Sequence, residues 1–527
     1  MKAEKIKKKE SEMFKRERVE IMDTTLRDGE QISHGSFSPE WKPRIVKALF
    51  EAGVDRVEVC SARGHSKKEQ KMLAEVMKWA ADKCLDRHVE VLTFLDGTKS
   101  VDWVRQAGGK TINLLAKGSQ LHAREQLGHN VKRHLEKITE SAGYAAACGI
   151  EVNLYLEDWS QGMMDSPGFI EQLLNGIADL PIRRIMLCDT MGVLNPWKTE
   201  NMVLRMMKWQ LHFHYDFHGH NDYGLAVANS LAAVKAGAKG IHATVNGLGE
   251  RTGNAPLDEI TLGIRDQLSD YRTDIRITHL RGLGRNVALM SGRRMPPNKP
   301  MTGSECFSNT AGVHADGNRK KSLYAHRWLR PEDFGSRIRH SMGKLSGKSN
   351  ILFNLERLEW KLSDEQVNAV LLRTVRLSDE GKAITLGDLP FVVASVLNQP
   401  ELIVFEVVSA ETCSRTARKA TTKAKIKYRG EEHELEADGD GGFDAFMNAL
   451  ALWAKKSQSL KIPDLLDYSV NIPPGGKSSA LVHVTIEWEV SGKIGKFATS
   501  GVHCDQVLAA IEAASLAVNL CNCGRKR

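Results

Sequence analysis

The sequence predicts an N-terminal (β/α)8 TIM barrel, followed by helical connector subdomains and a duplicated α+β domain at the C-terminus. Three observations lead to this fold class. Eight short apolar runs alternate with amphipathic stretches between residues 19 and 268, as strands and helices do in such a barrel. Helical pieces alternate with polar, glycine-containing loops in residues 270–395. Residues 400–520 contain two similar runs of strands, each leading into a helix.

Each predicted barrel strand is a short apolar run. The eight runs are Val19–Met22, Val54–Cys60, Val89–Leu95, Thr111–Ala116, Glu151–Leu156, Arg184–Cys188, His212–Phe217 and Gly240–Val245. The stretches between them carry apolar residues at helical spacing, as in Trp41–Glu51, Lys68–Ala81, Val131–Ala147 and Leu225–Ala236. Eight strand–helix units in about 250 residues have the length of one barrel domain.

The C-terminal residues 400–520 have the pattern of an internal duplication. The first copy consists of strands Ile403–Ser409 and Thr422–Tyr428 and helix Gly442–Ala454, and the second of strands Tyr468–Ile472 and Leu481–Val490 and helix Cys504–Val518. Residues Gly439–Gly442 and Gly501–His503 precede the two helices at equivalent places. Repeats of one supersecondary unit need a partner copy to bury their open faces. Two matched pockets in such a module suit a small-molecule sensor.

These features divide the chain into four segments. We expect a basic tail at residues 1–18, a catalytic barrel at 19–285, connector subdomains at 286–395 and a regulatory domain at 396–527. The tail carries a net charge of +4 and Arg525-Lys526-Arg527 carry +3, so the rest of the chain holds only +2 of the total of +9. That is too little for a phosphate-binding surface, and we therefore expect no nucleic-acid partner.

The composition is that of an ordinary globular protein, with 42% hydrophobic and 26% charged residues. The Lys- and Glu-rich N-terminus does not resemble a signal peptide, and no apolar run has the length of a membrane span. Nine cysteines are scattered without disulfide-like spacing, which is typical of reduced thiols. We therefore expect a cytoplasmic protein without a membrane partner.

Polar side chains concentrate directly after five of the eight predicted strands. They are Arg27 and Asp28 after the first, Glu157 and Asp158 after the fifth, Asp189 and Thr190 after the sixth, His218 and His220 after the seventh, and Asn246–Asn254 after the eighth. In a (β/α)8 barrel the chemistry takes place at the C-terminal ends of the strands. The pattern therefore predicts an active site at this end of the barrel.

The two histidines suggest a metal site. Side chains alternate along a strand, so His218 and His220 point to the same face, and two imidazoles with a carboxylate suit zinc or manganese. Asp28 is the candidate carboxylate. The alternative is a pair of hydrogen-bonded histidines at a strand end. In the connector, His314 lies in a Gly-Val-His-Ala-Asp-Gly run and either carries catalysis on a mobile loop or caps a helix.

Three motifs, together with the connector run around His314 and the C-terminal module, identify a family resemblance. Residues Asp23–Gln31, His218–Asp222 and Asn246–Asn254 resemble the signatures of the isopropylmalate, homocitrate and citramalate synthases. The resemblance covers nearly all of the chain after the basic tail. It implies condensation of the acetyl-CoA methyl carbon with a 2-keto acid, followed by hydrolysis of the thioester.

The resemblance also implies roles for individual residues. A divalent metal (Mn, Zn or Mg) would bind Asp28, His218 and His220, and Asn254 matches a position that the family associates with the metal. Arg27 would stabilise the alkoxide, and Thr190 would bind the substrate carboxylate. Glu157 is the candidate base for the acetyl methyl group; the alternative for Glu157 is a salt bridge to a barrel arginine. His314, Tyr324 and Asp316 would assist from the acetyl-CoA side, in this family usually in the neighbouring subunit of a homodimer.

Within the family, the residues are most similar to the citramalate branch. At its keto-acid pocket positions this chain has Leu92, Leu115 and Tyr155, which leave room for the methyl group of pyruvate and crowd an isopropyl group. One methylene in such a pocket changes the binding free energy by only about 1–3 kcal/mol. The alternative is therefore a 2-isopropylmalate synthase that takes 2-ketoisovalerate for leucine biosynthesis.

Two related enzymes and an inactive paralogue fit the sequence less well. A homocitrate synthase would need a basic residue for a distal carboxylate, and none is evident in that pocket set. A lyase would not need the duplicated module. A catalytically dead paralogue would have lost a metal ligand or the pair of Arg27 and Glu157, and this chain retains them.

The resemblance extends to a feedback-regulatory module at residues 396–527. The family's amino-acid pocket is matched by Asp444, Leu465, Tyr468, Ile472, Val482 and Gln506, while Phe443 stands where a Tyr is expected and Cys504 where a Pro is expected. The implied effector is isoleucine, because the citramalate route is a threonine-independent path to isoleucine. Leucine is the alternative effector.

Overall fold

The computed structural model of the chain describes most of the residues. They are residues 16–33, 35–62, 66–324, 329–379, 384–414, 416, 418–457, 460–472, 481–492 and 494–523. The structure divides into two compact units, one formed by Met1–Cys306 with Trp328–Arg337 and the other by Phe307–Arg327 with Ile338–Arg527. The predicted basic tail up to residue 15 and Arg525-Lys526-Arg527 lie outside the described residues.

The first unit contains a closed barrel of eight parallel strands, which confirms the predicted fold class. The strands are Glu20–Asp23, Arg56–Ser61, Val89–Phe94, Thr111–Lys117, Glu151–Glu157, Ile182–Asp189, His214–Gly219 and Gly240–Ala243. They follow one another around the barrel in chain order, and the first strand closes the ring against the eighth. The seventh strand extends two residues further than its apolar run, because His218 and Gly219 still pair with the sixth strand.

Eleven α-helices surround the barrel among the described residues of this unit. They are Lys42–Glu51, Lys67–Asp82, Lys99–Gln106, Gln120–Leu127, Val131–Ala147, Trp159–Asp165, Pro167–Ile177, Pro196–Trp209, Ala226–Lys235, Leu257–Gln267 and Ile277–Ser291. Local sequence sets several starts: the Ser66 hydroxyl accepts a hydrogen bond from the Glu69 N–H, and the Asn195 side chain accepts one from the Lys198 N–H. A short parallel pairing joins Glu17–Arg18 to Tyr271–Arg272.

The strands present apolar side chains to the helices and a largely polar set to the barrel interior. On the second strand, Val57 and Val59 are fully buried in the apolar core, whereas Arg56 and Glu58 belong to the buried polar set. Arg56 forms ion pairs with Glu90 and with Asp216 across the barrel. Buried charges are tolerated only when they are paired and hydrogen-bonded. The barrel interior therefore contains a connected network of buried polar side chains.

The second unit contains two three-stranded antiparallel sheets. Their strands are Phe405–Cys413, Ala420–Tyr428 and Glu431–Gly439 in one sheet, and Asp464–Asn471, Val482–Val490 and Gly495–His503 in the other. Each sheet leads into a helix, Gly442–Ser457 or Gln506–Asn522. Each copy was predicted with two strands, and the structure adds a third strand to each sheet. Glu431–Gly439 was not predicted as a strand, because its exposed positions are charged and it therefore contains no apolar run.

Connector helices and the duplicated domain share one hydrophobic core in the second unit. Three connector helices contribute to it, Lys348–Arg357, Asp364–Asp379 and Leu389–Leu397, and Gly312–Lys321 is a further helix of this unit. Ile351 and Val367 from these helices are buried in the same cluster as Phe446 and Trp488 of the duplicated domain. Gly501 allows the closing helix to approach its sheet, because an added Cβ would collide with the Ala509 carbonyl oxygen. No helix in the described part of the chain is long and apolar enough to cross a membrane.

Candidate active site

Three side chains that the sequence predicts as metal ligands meet at the C-terminal end of the barrel. Asp28 follows the first strand, His218 lies near the end of the seventh, and His220 forms an isolated bridge to Asn254 just beyond it. One ligand atom from each of Asp28, His218 and His220 lies within 4.8 Å of the others. The Asp28 Oδ2 atom is 3.5 Å from His218 Nε2 and 3.7 Å from His220 Nε2. All three side chains are buried.

The polar atoms of this cluster fit a divalent cation. Asn254 donates from Nδ2 to Asp28 Oδ2 at 2.7 Å and to the Leu248 carbonyl oxygen at 3.0 Å. Its Oδ1 atom is buried without a hydrogen-bond partner among the described residues, which is costly unless something binds it. Burial lowers the pKa of His218 well below its ordinary value, so this imidazole is neutral, as a metal ligand must be.

The electrostatics of Asp28 agree with this arrangement. Burial raises the pKa of Asp28, but the charge of Arg27 above all, together with the hydrogen bond from the Asn254 amide, outweighs burial and holds the pKa well below its ordinary value. The carboxylate is therefore ionised and available to a cation. Asp28, His218, His220 and Asn254 could together hold one divalent metal through a carboxylate, two imidazoles and an amide oxygen.

The loop after the eighth strand positions Asn254 by close backbone packing. Gly249 has φ of +152° and Gly253 has φ of +87°. An added Cβ at Gly249 would collide with the Asn254 amide, and one at Gly253 would collide with the Gly247 carbonyl oxygen. Only glycine fits these two positions without strain. The glycines of the Asn246–Asn254 motif are therefore required by the conformation that presents Asn254.

Arg251 ties three barrel loops together. Its guanidinium donates to both carboxylate oxygens of Asp222 at 2.7 Å and 3.0 Å, and to the Thr190 carbonyl oxygen at 2.7 Å. These partners belong to the loops after the seventh and sixth strands, and Arg251 itself belongs to the loop after the eighth. A bidentate guanidinium–carboxylate pair fixes orientation as well as distance. The loops that carry His220, Thr190 and Asn254 are therefore held in one arrangement.

Arg27 lies beside Asp28 and is held by a partner that the sequence analysis missed. Its guanidinium forms ion pairs with Glu58 and with Asp28, the latter at 3.1 Å, and donates to the Tyr155 hydroxyl at 3.2 Å. Burial lowers the pKa of Arg27, but Glu58 and Asp28 outweigh burial and raise it well above its ordinary value. Glu58 accepts in turn from Asn113 Nδ2 at 2.8 Å. A charged residue inside the apolar run Val54–Cys60 was the available signal.

His242 and Asp216 extend the network below Tyr155, and neither was predicted from the sequence. The Tyr155 hydroxyl is 3.3 Å from His242 Nδ1, and His242 Nε2 is 3.2 Å from Asp216 Oδ2. If Asp216 accepts the Nε2 proton, Nδ1 is left to accept the tyrosine proton. His242 is the polar residue in the short strand Gly240–Ala243, and this polarity was the signal for an inward-facing group.

The three predicted keto-acid pocket residues lie in one small apolar cluster inside the barrel. Leu92 and Tyr155 are buried with Met22, Met186 and Cys188, and Leu115 and Phe94 pack against them at the edge. Leu115 and Tyr155 are in register on neighbouring strands. The structure therefore brings Leu92, Leu115 and Tyr155 together and adds Met22, Met186, Cys188 and Phe94 to the same wall.

Glu157 forms an ion pair with a lysine, not with an arginine. Its carboxylate contacts the ammonium of Lys117 at the end of the fourth strand, and the side chains are 27% and 9% exposed. A basic side chain, Lys117, therefore lies at this end of the barrel, although none of the predicted pocket residues Leu92, Leu115 and Tyr155 is basic. Next to Glu157, the Asp158 N–H donates to Thr190 Oγ1 at 2.8 Å, which leaves the Thr190 hydroxyl proton free to donate.

The connector candidates lie in the second unit. The rings of His314 and Tyr324 have centroids 4.3 Å apart, and Tyr324 is 46% exposed. Asp316 pairs with Lys320 at 2.7 Å and accepts from the Ser349 hydroxyl at 3.2 Å. The hydrogen bond from Lys320 lowers the pKa of Asp316. His314 lies inside the helix Gly312–Lys321, whose N-cap is Ala311, so it does not cap the helix, and its aromatic neighbour Tyr324 follows the helix.

Several residues of the predicted effector pocket cluster between the two halves of the duplicated domain. The rings of Phe443 and Tyr468 have centroids 5.5 Å apart, and Tyr468 is hydrogen-bonded to Gln506. Asp444 accepts from the Asp440 N–H at 2.9 Å at the start of its helix. The remaining four differ in exposure: Val482 is buried, whereas Leu465, Ile472 and Cys504 are exposed. These contacts join the first helix to the strand and helix of the second copy.

Three family profiles match successive parts of the chain. The HMGL-like profile matches residues 18–287, the homocitrate synthase post-HMGL domain-like profile matches residues 301–382, and the LeuA allosteric (dimerisation) domain profile matches residues 383–521. The matches follow the order of barrel, connector and duplicated domain.

Curated relatives span nearly the whole chain. The (R)-citramalate synthase of Methanocaldococcus jannaschii is 31% identical over 507 residues, which are 95% of this chain and 99% of that protein. A probable 2-isopropylmalate synthase of Methanopyrus kandleri is 31% identical over 510 residues, which are 95% of this chain and 98% of that protein. A solved hydroxymethylglutaryl-CoA lyase from Pseudomonas aeruginosa covers 53% of this chain and 95% of its own, with 21% identity and a TM-score of 0.47.

Proposed function

This chain belongs to the isopropylmalate, homocitrate and citramalate synthase family of acetyl-CoA-dependent condensing enzymes, and on that premise we propose that it makes (R)-citramalate from acetyl-CoA, pyruvate and water. The observation that carries the choice of pyruvate is the small apolar cluster of Leu92, Leu115 and Tyr155 beside Arg27 and Asp28. A methyl group fits such a wall, whereas each added carbon on the substrate is penalised by about 1–3 kcal/mol.

We propose that the four-residue cluster is a divalent-metal site. Asp28, His218 and His220 would hold the ion and the unpartnered Asn254 Oδ1 would complete the set, since these buried atoms suit a cation and little else. A bound divalent metal supplies Lewis-acid polarisation of a keto-acid carbonyl. Mn, Zn and Mg all remain candidates for this set of oxygen and nitrogen donors.

Arg27 and Thr190 would bind and orient the keto acid. The Arg27 guanidinium is fixed by Glu58 and Asp28, so its donors are preorganised for the negative charge that forms on the carbonyl oxygen during attack. The free Thr190 hydroxyl proton would donate to the substrate carboxylate. Both groups stabilise charge on the keto acid, one as it develops and the other throughout.

Glu157 would be the base that activates acetyl-CoA. Its carboxylate takes a proton from the acetyl methyl group, and the electron pair of that C–H bond forms the new C–C bond to C2 of pyruvate. The C2 carbonyl oxygen becomes the tertiary alkoxide and takes up a proton. Water then attacks the thioester carbon, the C–S bond breaks, and (R)-citramalate and CoA leave.

His314, Tyr324 and Asp316 would serve the acetyl-CoA side of the reaction, in enolisation or thioester hydrolysis. By family resemblance they would act on the barrel of the other subunit of a homodimer. The LeuA allosteric (dimerisation) domain match is consistent with such an assembly. Exchange experiments with mixed variants test this: inactive Asp28→Ala and His314→Ala chains should recover activity when they are combined in one dimer.

The duplicated domain would bind isoleucine and inhibit condensation. The cluster of Phe443, Tyr468 and Gln506 between its two copies supports this proposal, because it offers aromatic faces and a side-chain amide to a small zwitterion. Phe443 lacks the hydroxyl of the expected Tyr. One lost hydrogen bond corresponds to about 0.5–1.5 kcal/mol and to about threefold to tenfold weaker binding.

CoA release tests the proposed reaction. The full chain, supplied with Mn²⁺, is assayed with acetyl-CoA and pyruvate, 2-ketoisovalerate or 2-ketobutyrate, and the free thiol is measured. Pyruvate should have the highest kcat/KM, and chiral chromatography should identify the product as (R)-citramalate. A higher kcat/KM for 2-ketoisovalerate would favour the second candidate, a 2-isopropylmalate synthase. The probable 2-isopropylmalate synthase of Methanopyrus kandleri, which is as similar to this chain as the Methanocaldococcus citramalate synthase is, supports this candidate.

A further inference from the structure

Lys117 is a buried cation at the mouth of the barrel that the proposed mechanism does not use. It ends the fourth strand and lies in register with Glu157 at the end of the fifth strand. Two residues earlier, Leu115 and Tyr155 are in register on the same strands. Because side chains two apart on a strand share a face, Lys117 and Glu157 lie directly above the small apolar cluster that contains Leu115 and Tyr155. We propose that Lys117 is a positioning residue that aims the Glu157 carboxylate at the acetyl methyl group.

The backbone around this pair is held firmly. The Gly118 N–H donates to the Glu157 carbonyl oxygen at 2.6 Å, and the Asp158 N–H donates to the Thr190 hydroxyl. The helix Trp159–Asp165 presses against the fourth-strand loop, since a Cβ on Gly162 would collide with the Gly118 carbonyl oxygen. The positions of the Glu157 and Lys117 backbones are therefore set by contacts that do not involve their charged groups.

The Glu157 side chain, in contrast, depends on Lys117. Among the described residues, Lys117 is the only hydrogen-bond donor to the Glu157 carboxylate and the only cation within 4 Å of it. A carboxylate that is 27% exposed and held by one partner would rotate among several orientations without that partner. The ammonium therefore selects the orientation of the base.

Lys117 is itself fixed from behind. Its backbone N–H donates to His134 Nε2 at 3.0 Å, and His134 Nδ1 lies 3.3 Å from His129 Nδ1. His134 is fully buried, and its Nε2 contacts the Lys117 carbonyl oxygen at 3.2 Å as well. The Lys117 backbone at the end of the fourth strand is therefore fixed, so its side chain starts from a defined position beside Glu157.

The carboxylate also lies close to the apolar cluster. Glu157 lies two residues beyond Tyr155 on the fifth strand, and Tyr155 packs with Leu92 and Cys188. A base above this cluster has the position needed to meet an acetyl group that faces a keto acid. A displacement of about 1 Å in such a base reduces rate by about 100-fold.

The test uses Lys117→Met in the full chain, with Lys117→Arg as the charge-conserving variant and Lys110→Met as the matched control. Lys110 is an exposed lysine just before the start of the same strand, so its loss reports general effects of removing a lysine. Circular dichroism and the retained Mn²⁺ content check the fold. We expect Lys117→Met to lower kcat by about 100-fold with a KM for the keto acid within about threefold of wild type.

Two further readouts separate positioning from a structural role. Deuterium on the acetyl methyl group of acetyl-CoA should give a larger isotope effect on kcat in Lys117→Met than in wild type, because proton removal becomes the slow step. In a Glu157→Gln background, Lys117→Met should change kcat by less than about threefold, since the lysine acts through the carboxylate. The kcat of Lys117→Arg should be at least about tenfold higher than that of Lys117→Met. The kcat of Lys110→Met should equal that of wild type.

The inference rests on the proposed role of Glu157 as base but not on the identity of the keto acid. The variants are therefore measured on whichever keto acid the wild type prefers, and that preference separately tests the proposed substrate. A wild-type-like kcat in Lys117→Met, an equal loss in the Glu157→Gln background, or a change confined to the KM of the keto acid would each overturn the proposal. The last result would instead make Lys117 a substrate-binding group.

Discussion

Leu115→Ala is the sharpest test of the pocket, because Leu115 packs against the edge of the apolar cluster and Tyr155 lies in register beside it. The change removes three carbon atoms from the wall. Pyruvate and 2-ketoisovalerate differ by two carbons, and each buried carbon contributes about 0.8 kcal/mol. The ratio of kcat/KM for 2-ketoisovalerate to that for pyruvate should therefore rise by at least about 15-fold, and by up to about 200-fold if crowding is also relieved.

The assay measures the free CoA thiol released from acetyl-CoA with each keto acid at several concentrations, and Leu115→Met is the control. Methionine conserves the volume of leucine, so the control should keep the wild-type ratio within about threefold. Thermal unfolding of both variants checks that the barrel is intact. An unchanged ratio in a folded, metal-loaded Leu115→Ala protein would show that Leu115 does not face the keto-acid side chain, and the choice of pyruvate would lose its main support.

The proposed metal ligands, the buried His134 and the proposed effector pocket each lead to a further expected result. His218→Ala and Asp28→Ala should abolish turnover while leaving the unfolding transition within a few degrees of wild type, because each removes a proposed ligand at the barrel mouth; near-native activity after dialysis against a chelator would refute the proposed metal site. Burial lowers the pKa of His134 to about 4 from its ordinary 6.5, so the unfolded chain binds a proton that the folded chain does not, and the free energy of unfolding should fall by up to about 3 kcal/mol as the pH drops from 6.5 to 4. Urea titrations at pH 7 and pH 4.5 measure this fall, and His134→Gln should make it smaller; an unchanged fall would contradict the assignment. Tyr468→Ala should weaken inhibition by isoleucine at least about tenfold without changing kcat; calorimetry with isoleucine, leucine and valine identifies the effector, and no heat from any of the three with wild type would contradict a regulatory site.

The barrel and the cluster of Asp28, His218 and His220 could be predicted because strand ends converge in this fold. Any polar residue that directly follows an apolar run is brought to the same rim. Glu58, His242 and Lys117 were harder to find, since they lie inside or at the end of strands whose other positions are apolar. Their importance depends on which distant residue they meet across the barrel, and local periodicity carries no information about that.

The duplicated domain shows the same limit for strands. Its edge strand Glu431–Gly439 has charged residues at the exposed positions and few large apolar residues at the others, so periodicity alone did not separate it from a loop. Nothing in the sequence indicated that residues of the connector and of the C-terminal domain share one hydrophobic core. Ile351 and Phe446 look like ordinary apolar positions of separate helices until the fold brings them together.

The shared core determines where this protein can be cut and recombined. The chain passes between the two compact units three times, near residues 306, 327 and 337. A chimera that exchanges residues 396–527 for the same segment of a relative would leave Ile351 and Val367 facing foreign side chains, and overpacked or hollow cores of this kind cost several kcal/mol. A transplant of Phe307–Arg327 together with Ile338–Arg527 carries both faces of that core with it and leaves Trp328–Arg337 with its own barrel. New effector specificities should therefore be grafted as these two segments.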